Sequence, residues 1–595
     1  MQTFNDVHRQ FAELFKSENL KPYAYLVSKK LSEGHICVNI GEIENEDLPD
    51  AYSKFTFDSH ALINESFVAA ANEEIQPFIL HNNRLYLQRY FNYETIIINR
   101  IYDLLQTEKF LQNERFQLLE NHKDFVVDLF HDKKEDSKVT DWQIVAGISA
   151  ALNNFTIITG GPGTGKTTTV AKILAILFKI DPDIKIALAA PTGKAASRLA
   201  ESLKNTKLNT DKSILQKFQL LEPFTIQRLL GFIPDSPYFK HNQLNPLNFD
   251  VVIIDESSMM DAALFAKLLD AIGPKTRMIL LGDKDQLASV EAGSLFGDLC
   301  QSQQELNIFS PEKSSFINSF IYHSENKISG KNVDENNNHP LFEHVIELQK
   351  SHRYSDKKGI GKFSKAVINN DGETIKDFFK NNDDQVLIAP YYSEDIFKKF
   401  VIGYEEFIRE RDIKKALKKL NNLRVLCAVR EGENGVRSVN LKIEKYLQEK
   451  RLINLSTIFY KNRPVIITKN HYDLNLFNGD VGIIRADENG ELKAWFENNE
   501  DDLKCYSPAY LSSCETVFAM TIHKSQGSEF DKVMVILPDS IDIPILTREL
   551  LYTAVTRAKS KVFIQASEDV ILQSAEKFVK RSSGLKDRFL ENTNK

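Results

Sequence analysis

The chain has 595 residues, of which 42% are hydrophobic and 26% charged; this composition is ordinary for globular domains, and the length exceeds what one core can organise. The formal net charge of −7 argues against a protein coated in basic charge, although it is compatible with a local basic cleft for nucleic acid. No apolar run reaches the roughly 18 residues of a membrane span. With no secretory signal and no C-x-x-C pair among the five cysteines, we expect a cytoplasmic protein without structural zinc.

Residues 1–125 carry no phosphate or metal motif, and the apolar spacing at their start predicts a small helical domain. Residues 85–91 combine aromatic and basic side chains. We interpret them as core packing, with a partner interface as the alternative. Because this domain has no other chemistry, we predict that it docks partner proteins. Residues 131–139 are highly charged without an apolar period, and we therefore predict a linker, which we bound at residues 126–139.

A β-branched run ends in G-G-P-G-T-G-K-T-T at residues 160–168, and a helix-like run follows. This strand–loop–helix context and the G-x-x-x-x-G-K-[ST] spacing predict a phosphate-binding loop for a nucleoside triphosphate. Lys166 adds a positive charge near the β/γ-phosphates, and the hydroxyl of Thr167 suits one Mg²⁺ position. Nucleotide contacts are expected at Gly160, Gly161, Pro162, Gly163, Thr164, Gly165, Lys166, Thr167 and Thr168.

Three further apolar runs end in polar turns, which is where an open α/β sheet places its ligand contacts. One ends in P-T-G-K at 191–194, one in Asp255-Glu256, and one in a turn that contains Gln286. Asp255 is predicted to hold Mg²⁺, and Glu256 to polarise the attacking water. Gln286 is placed to sense a γ-phosphate.

Two stretches between residues 140 and 355 do not follow the alternating strand–helix pattern of an α/β domain. Residues 232–249 are rich in Pro and Asn, which predicts a short hairpin or loop. Residues 310–340 are dominated by Asn, Ser and Lys, which predicts a surface insertion.

Apolar runs at 386–390 and 424–429 predict a second α/β domain. Within it, residues 455–513 form short strand-like runs around the turn Asn489-Gly490, which predicts an inserted all-β piece. Residues 515–521 then predict a strand with which the α/β pattern returns. Arg353 and Arg557 are assigned to this second domain. An arginine that reaches a γ-phosphate from another domain would couple hydrolysis to domain closure, which is how a translocating motor works.

In motif order and spacing the sequence resembles superfamily 1 helicases, and in detail it is similar to their RecD branch. The general motifs are G-G-P-G-T-G-K-T-T, A-P-T-G-K-A-A, V-I-I-D-E-S-S-M, L-G-D-K-D-Q-L-A-S-V, K-S-H-R-Y, T-I-H-K-S-Q-G-S-E-F and L-Y-T-A-V-T-R-A-K. The RecD-like features are L-A-S-V-E-A-G (287–293), A-V-R-E-G (428–432), L-F-N-G-D (476–480) and L-T-R-E-L-L (546–551). The resemblance covers residue 140 onward and, more weakly, the N-terminal region.

The resemblance implies an α/β fold with two tandem RecA-like P-loop domains, a small helical N-terminal domain and an SH3-like β insertion. The expected division is an N-terminal docking domain (1–125), a linker (126–139), a first RecA-like domain (140–355, with a hairpin at 232–249 and an insertion at 310–340) and a second RecA-like domain (356–595, with the SH3-like module at 455–513).

It also implies roles for matching residues. Gln143 resembles the adenine-reading glutamine, Glu529 resembles the residue near the ribose, and Arg353 and Arg557 resemble arginine fingers. Gln227 departs from the histidine that relatives often carry. The implied catalytic set is Lys166, Glu256, Gln286, Arg353 and Arg557. The implied DNA contacts are Pro191, Thr192, Gly193, Lys194, Thr225, Gln227, Arg228, Thr521 and His523.

The function that follows is an ATP- and Mg²⁺-dependent 5′→3′ single-stranded DNA helicase subunit of a RecBCD-type complex. RecB-like and RecC-like partners are implied, and nuclease activity is left to a partner because the sequence shows no two-metal carboxylate cluster. Two alternatives stay open: an independent helicase on DNA or RNA, and an ATP-dependent assembly or regulatory switch.

Overall fold

The computed structural model describes residues 6–43, 48–49, 52, 54–70, 75–130, 139–497, 502–540 and 542–591. Four sheets organise these residues: a mixed N-terminal sheet, two parallel sheets and one antiparallel sheet. Across the same ranges, each helix is either too short or too polar to span a bilayer. The predicted α/β class with two tandem RecA-like units is confirmed.

The N-terminal region contains a sheet as well as helices. The four strands run in the order β1-β4-β3-β2, and β2 pairs with β3 in parallel whereas the other pairs are antiparallel. A core of aromatic and aliphatic side chains lies between this sheet and α2. The elements are α1 (Val7–Ala12), α2 (Lys21–Ser32), β1 (Cys37–Asn39), α3 (Ser59–Leu62), β2 (Val68–Ala70), β3 (Phe78–His81), β4 (Arg84–Leu87), α4 (Gln88–Asn121) and α5 (Lys123–Phe130).

The boundary predicted after residue 125 is wrong, because α5 runs through it and both α4 and α5 pack into the cores of the first α/β unit. Ile97 and Ile101 of the 34-residue helix α4 are fully buried in one of that unit's cores. Val126 and Phe130 of α5 are buried in another. The predicted linker therefore begins as a packed helix, and its residues 131–138 lie outside the described residues.

The first α/β unit has a six-stranded parallel sheet in the order β10-β5-β9-β8-β6-β7. Its central strands are continuous apolar runs because helices cover both faces of the sheet. The elements are α6 (Trp142–Leu152), β5 (Phe155–Thr159), α7 (Lys166–Ile180), β6 (Ile186–Ala190), α8 (Gly193–Lys204), α9 (Lys212–Gln219), β7 (Pro223–Thr225), α10 (Ile226–Leu229), β8 (Val251–Ile254), α11 (Ala262–Asp270), β9 (Arg277–Gly282), α12 (Leu295–Gln301), α13 (Pro311–Asn318) and β10 (Val345–Glu347).

Residues 310–340 are not a surface insertion as predicted. Ile317 on α13 and Phe320 after it are buried in the core of the first unit. The buried ammonium of Lys313 donates a hydrogen bond of 2.9 Å to Asn153 Oδ1. A few apolar side chains spaced among Asn, Ser and Lys are enough to anchor the segment, and composition alone hides them.

Residues 232–249 form a compact loop closed by two isolated antiparallel bridges, Phe232 with Phe239 and Asn242 with Asn245. Tyr238 and Leu244 are exposed at its surface. Of the two predicted forms, a hairpin or a loop, the described residues therefore show the loop, with single bridges in place of paired strands.

The second α/β unit has a five-stranded parallel sheet in the order β11-β20-β19-β12-β18. Its elements are α14 (Gly359–Ile368), α15 (Gly372–Lys380), β11 (Val386–Ala389), α16 (Glu394–Val401), α17 (Glu405–Arg409), α18 (Ile413–Leu420), β12 (Leu423–Cys427), α19 (Val436–Glu449), then, after the insertion, β18 (Ala519–Thr521), β19 (Phe530–Ile536), α20 (Arg548–Thr556), β20 (Ala558–Gln565), α21 (Glu568–Glu576) and α22 (Leu585–Glu591).

Between α19 and β18 lies a five-stranded antiparallel sheet in the order β16-β15-β14-β13-β17, with a small core of its own. Its strands are β13 (Pro464–Ile467), β14 (Val481–Ala486), β15 (Leu492–Glu497), β16 (Leu503–Tyr506) and β17 (Cys514–Thr516). The sequence predicts a single strand at 515–521, but the chain changes sheets there. The buried residues Val517 and Phe518 join β17 of this sheet to β18 of the parallel sheet, so the insertion ends later than residue 513.

Residues 577–591, which we call the strap, leave the second unit and return to the N-terminal half; the predicted assignment of 356–595 to one domain is wrong here. The Arg581 guanidinium donates a hydrogen bond of 2.9 Å to Gly293 O in the first unit. Gly584 N donates one of 2.8 Å to the fully buried carboxylate of Glu94 on α4. The strap therefore joins all three parts of the chain.

Candidate ATP site and nucleic-acid groove

A cavity of about 640 Å³ lies at the carboxyl ends of the first unit's strands and is closed by residues of the second unit. It gathers most of the predicted nucleotide-site residues, which come from both units. The predicted residues that line it are Gln143, Pro162, Gly163, Thr164, Gly165, Lys166, Thr167, Thr168, Asp255, Glu256, Gln286, Arg353, Glu529 and Arg557.

The loop between β5 and α7 has the backbone that a phosphate cradle needs. Gly163 and Gly165 have φ angles of 78° and 90°, which only glycine adopts without strain. Helix α7 begins at Lys166 and directs its positive end at the cavity. The Lys166 ammonium donates hydrogen bonds to the carbonyl oxygens of Gly160, at 2.5 Å, and Gly161, at 3.3 Å, which lie just outside the cavity lining.

Two adjacent carboxylates follow β8. Burial, together with the neighbouring charge of Glu256, raises the pKa of Asp255 to about 6. Glu256 has φ 52° and ψ 40°, a left-handed conformation that is uncommon for a residue with a side chain. Its backbone N–H donates to Asp255 Oδ1 at 2.9 Å. The pair is thus held in a fixed turn at the cavity wall.

Gln286 lies in the turn after β9 and is tied to a buried carboxylate. Its Nε2 donates a hydrogen bond of 2.8 Å to Asp283 Oδ2. Burial raises the pKa of Asp283 to about 6, although the charge of Lys166 opposes that shift. The turn is also bound to the second unit, because Leu287 N donates to Thr553 Oγ1 at 3.0 Å and Gln526 Nε2 donates to Leu287 O at 2.9 Å.

Gln143, at the start of α6, lies over the phosphate loop. Its Nε2 donates to Thr164 O at 3.3 Å and lies 3.4 Å from Nε2 of His352. A Cβ added at Gly165 would be only 2.3 Å from that nitrogen. The glutamine amide therefore borders one end of the cavity.

Arg353 lies in the connector between β10 and α14. Its predicted assignment to the second domain is therefore wrong, whereas the predicted bounds 140–355 of the first domain do include it. His352 N donates to Gly163 O at 2.8 Å, which holds this connector against the phosphate loop. Arg557, at the end of α20, does belong to the second unit; its guanidinium donates to Thr553 O and Ser528 O. Both arginines nevertheless line the same cavity.

Glu529 connects the two units. Arg353 donates to its Oε1 at 2.8 Å, and Arg198 of α8 pairs with its Oε2. Lys559 Nζ lies 3.6 Å from the same Oε2. Burial alone would raise the pKa of Glu529, but the charges of Arg198 and Arg353 outweigh it and lower the pKa to about 2.

A second cavity, of about 900 Å³, lies between α8, the antiparallel sheet and the second unit; we call it the groove. Four of the predicted DNA contacts line it: Gly193, Lys194, Thr225 and Arg228. The groove also contains the basic residues Arg198, Lys204, Lys504 and Lys559, the acidic residues Glu201, Asp480, Glu497 and Glu529, and the aromatic residues Phe477, Phe496 and Phe530. Its walls thus combine charged groups of both signs with apolar side chains.

The other predicted DNA contacts lie outside the lining of the groove: Pro191, Thr192, Gln227, Thr521 and His523. The hydroxyls of Thr192 and Thr225 accept hydrogen bonds from backbone N–H groups and cap α8 and α10. Thr521 caps the turn after β18 in the same way, by accepting from Lys524 N. Burial and the nearby charge of Arg581 lower the pKa of His523.

Sequence reasoning did not single out Arg198 or His352 as site residues, although both line the ATP cavity. Arg198 lies one helical turn after Lys194, but nothing in the motif spacing shows that its side chain reaches the second unit. His352 directly precedes Arg353, and the sequence around it predicts a role for the arginine only.

Three protein-family models match the chain. An AAA domain matches residues 143–292, a UvrD-like helicase C-terminal domain matches residues 516–565, and the N-terminal domain of the RecBCD enzyme subunit RecD matches residues 1–86. The first two ranges contain the phosphate loop and the Glu529 and Arg557 segments of the cavity.

Curated relatives match over most of the chain. The RecBCD enzyme subunit RecD of Haemophilus influenzae is 33% identical over 98% of this chain and 90% of its own length. That of Mycolicibacterium smegmatis is 35% identical over 75% of this chain and 74% of its own length. The ATP-dependent RecD2 DNA helicase of Deinococcus radiodurans is 27% identical over 70% of this chain, but over only 47% of its own length. Among solved structures, the Pif1 helicase from Bacteroides in complex with ADP-AlF3 and ssDNA is 17% identical, with a TM-score of 0.35, over 73% of this chain and 93% of that one.

Proposed function

The chain belongs to the RecD family of RecBCD enzyme subunits, and from this premise we propose that it uses ATP to move 5′→3′ along single-stranded DNA as the helicase subunit of a RecBCD-type complex. Such a complex unwinds duplex ends for double-strand break repair by homologous recombination and for DNA degradation. The observation that carries the proposal is the cavity bounded by both α/β units. A nucleotide held there contacts both units, so its binding and hydrolysis change how they close.

The residues at the cavity have different roles in ATP hydrolysis. Lys166 and the N–H groups at the start of α7 bind the phosphates. Glu256 orients and polarises the attacking water, and Gln286 senses the γ-phosphate. Arg353 and Arg557 offset the negative charge that develops on the transferred phosphoryl group.

The donor set near Lys166 fits Mg²⁺. The Thr167 hydroxyl and the Asp255 carboxylate offer the hard oxygen ligands that this ion prefers. Burial raises the pKa of Asp255, which means that its ionised form lacks a sufficient positive partner in the protein alone. When bound, Mg²⁺ would neutralise charge on the phosphates.

The groove is the proposed path of the DNA strand beside the ATP cavity. Arg198 and Gly527 line both cavities, so the two are neighbours. The lysine side chains and Arg228 there provide phosphate contacts that tolerate any base sequence, which translocation requires.

The N-terminal region is the proposed docking surface for RecB-like and RecC-like subunits in the cytoplasm. Val7, Leu14 and Ile75 expose 63%, 74% and 83% of their surface there. Replacing all three with serine is expected to abolish co-purification with the partners while ATPase activity is kept. Unchanged co-purification would place the docking surface elsewhere.

The proposal is tested by Lys166→Gln, with the exposed Lys212→Ala on α9 as the matched control. Unwinding is measured on 5′-tailed and 3′-tailed DNA and RNA, with and without partner subunits. We expect the wild type and the control to unwind only 5′-tailed DNA, and Lys166→Gln to lose unwinding and strand-stimulated hydrolysis together. A wild type without strand-stimulated hydrolysis, even beside its partners, would instead favour an ATP-dependent assembly switch.

A further inference from the structure

Arg198 makes a contact between the two α/β units that no motif predicts. It projects from α8, which follows β6 of the first unit. One terminal nitrogen, NH1, donates to Gly527 O at 3.3 Å, and the other, NH2, pairs with the Glu529 carboxylate. The planar guanidinium thus binds two groups of the second unit at once, a geometry that lysine cannot reproduce.

The carboxylate that Arg198 holds is the same one that holds Arg353. Arg353 pairs with Oε1 of Glu529 and Arg198 with Oε2, and Lys559 Nζ lies farther from Oε2, at 3.6 Å. Only 13% of the Glu529 side chain is exposed, compared with 41% for Arg198. Because Glu529 is mostly removed from water, its position depends on these cations more than that of a surface carboxylate would.

Arg353 retains hydrogen-bonding capacity at the ATP cavity. Its NH2 binds Glu529, whereas its buried NH1 has no hydrogen-bond partner among the described residues. A buried donor without an acceptor is unfavourable, and an anionic oxygen in the cavity would satisfy it. Arg353 is therefore oriented by Glu529 with one nitrogen still available for an anion.

We propose that Arg198 is a positioning residue for ATP hydrolysis: it fixes Glu529 across the interface and, through it, the orientation of Arg353 at the cavity. The series of ion pairs Arg198–Glu529–Arg353 then forms only when the second unit is closed against α8 of the first unit. Arg198 acts through the other two residues, since both of its terminal nitrogens are engaged by the second unit. This inference rests on the proposed function, because it assigns Arg353 to the hydrolysis step.

The first test compares wild type, Arg198→Ala, Arg198→Lys and the control Lys212→Ala, all as the full-length chain. ATP hydrolysis is measured with oligo(dT) at varied ATP. We expect Arg198→Ala to lower kcat about 10- to 100-fold, as small misplacements of catalytic groups do, with KM for ATP nearly unchanged. Arg198→Lys should recover only part of the loss. Added guanidinium at millimolar concentration should raise kcat of Arg198→Ala and leave the control unaffected, which a general folding defect would not allow.

The second readout does not depend on turnover. Hydrogen–deuterium exchange of residues 525–531 in nucleotide-free protein should be faster in Arg198→Ala than in wild type or the control. A raised KM with unchanged kcat would make Arg198 a direct nucleotide ligand and overturn the proposal, as would exchange and kcat equal to those of the control. If the wild type itself shows no strand-stimulated hydrolysis, the proposed function fails; if the wild type is active and Arg198→Ala matches the control, only this inference fails.

Discussion

The phenol oxygen of Tyr552 lies 3.1 Å from Oδ2 of Asp283, and this hydrogen bond joins α20 of the second unit to the turn after β9 in the first. The same carboxylate oxygen accepts the hydrogen bond from Gln286. A Cβ added at Gly161 would be 2.9 Å from the phenol oxygen, so the tyrosine also lies over the phosphate loop. One side chain of the second unit therefore contacts both the phosphate loop and the turn that carries Gln286.

Replacing Tyr552 with phenylalanine removes one donor to a buried carboxylate, which costs about 1–3 kcal/mol. Because the bond exists only between closed units, we expect strand-stimulated ATP hydrolysis to fall about 5- to 100-fold. Steady-state hydrolysis with oligo(dT) measures this. The control is Tyr391→Phe, whose side chain is 70% exposed on the same unit. Equal rates in the two variants would show that the hydrogen bond does not contribute to closure.

Gly163→Ala tests the contact between the phosphate loop and Arg353. Gly163 has φ 78°, and a Cβ there would be 2.4 Å from Arg353 Cβ. Gly432→Ala is the control, because Gly432 has a similar φ of 91° but nothing lies within 4 Å of an added Cβ. This control variant therefore has the backbone strain, about 1 kcal/mol, without a steric clash. We expect only Gly163→Ala to reduce kcat for ATP, by about 10- to 100-fold. Similar kcat values would mean that displacing Arg353 is harmless.

Phe477 is the aromatic side chain that we expect to stack on a DNA base. It belongs to the segment between β13 and β14, lines the groove and packs against Gly193, whose added Cβ would be 3.7 Å from the ring. Phe477→Ala should weaken binding of oligo(dT) by about 1–3 kcal/mol at fixed salt, measured by fluorescence anisotropy. Tyr510→Ala, 67% exposed on the same insertion, is the control. Identical affinities would exclude this ring as a stacking platform.

Asp298 on α12 gives the strap a pH dependence. Burial, with a smaller contribution from the charge of Glu94, raises its pKa to about 7, although Ser583 and Arg581 of the strap oppose the shift. Since the folded-state pKa exceeds the ordinary value of about 3.9, the stability it contributes is complete below pH ~3.9 and is lost as pH rises through about 7. Asp298→Asn should therefore melt higher than wild type at pH 8, with the difference shrinking toward pH 5. Asp124→Asn, an exposed carboxylate on α5, should show no such trend.

Glu94 and Arg588 form a buried ion pair between α4 and the strap, with a distance of 2.9 Å between Glu94 Oε2 and Arg588 NH1. Arg588→Met leaves a buried carboxylate uncompensated and should lower the local opening free energy by about 3–5 kcal/mol. Adding Glu94→Leu should restore much of it, because neither charge then remains. Native-state hydrogen exchange of residues 584–591 measures both. A double variant as unstable as the single one would contradict the pairing.

Much of the ATP site could be predicted from the sequence because its residues follow short local patterns. The apolar runs of β5, β8 and β9 end in the polar turns that line the ATP cavity. Each strand and its turn are adjacent in the sequence, so a local pattern is enough to identify both. What could not be predicted depends on contacts between distant residues. Arg198 reaches Glu529 across 331 positions of sequence, and no spacing rule connects them.

Two errors in the predicted fold have related physical causes. The polar composition of residues 310–340 predicts a surface segment, but the apolar side chains of Ile317 and Phe320 determine its burial. The run at 515–521 is continuously strand-like, and only tertiary structure divides it at Val517 and Phe518 between two sheets. Composition and periodicity report what a segment can form, but not which neighbour it meets.

The strap has a consequence for biosynthesis. Gly584 reaches Glu94 across 490 residues, and His81 reaches Glu591 across 510. During translation α4 leaves the ribosome long before its ion-pair partner exists, so the charge of Glu94 is compensated only after the second unit has been made. The N-terminal region should then complete its packing late and in one step with the strap, and ribosome-stalled chains that lack residues 577–591 should remain sensitive to protease at α4.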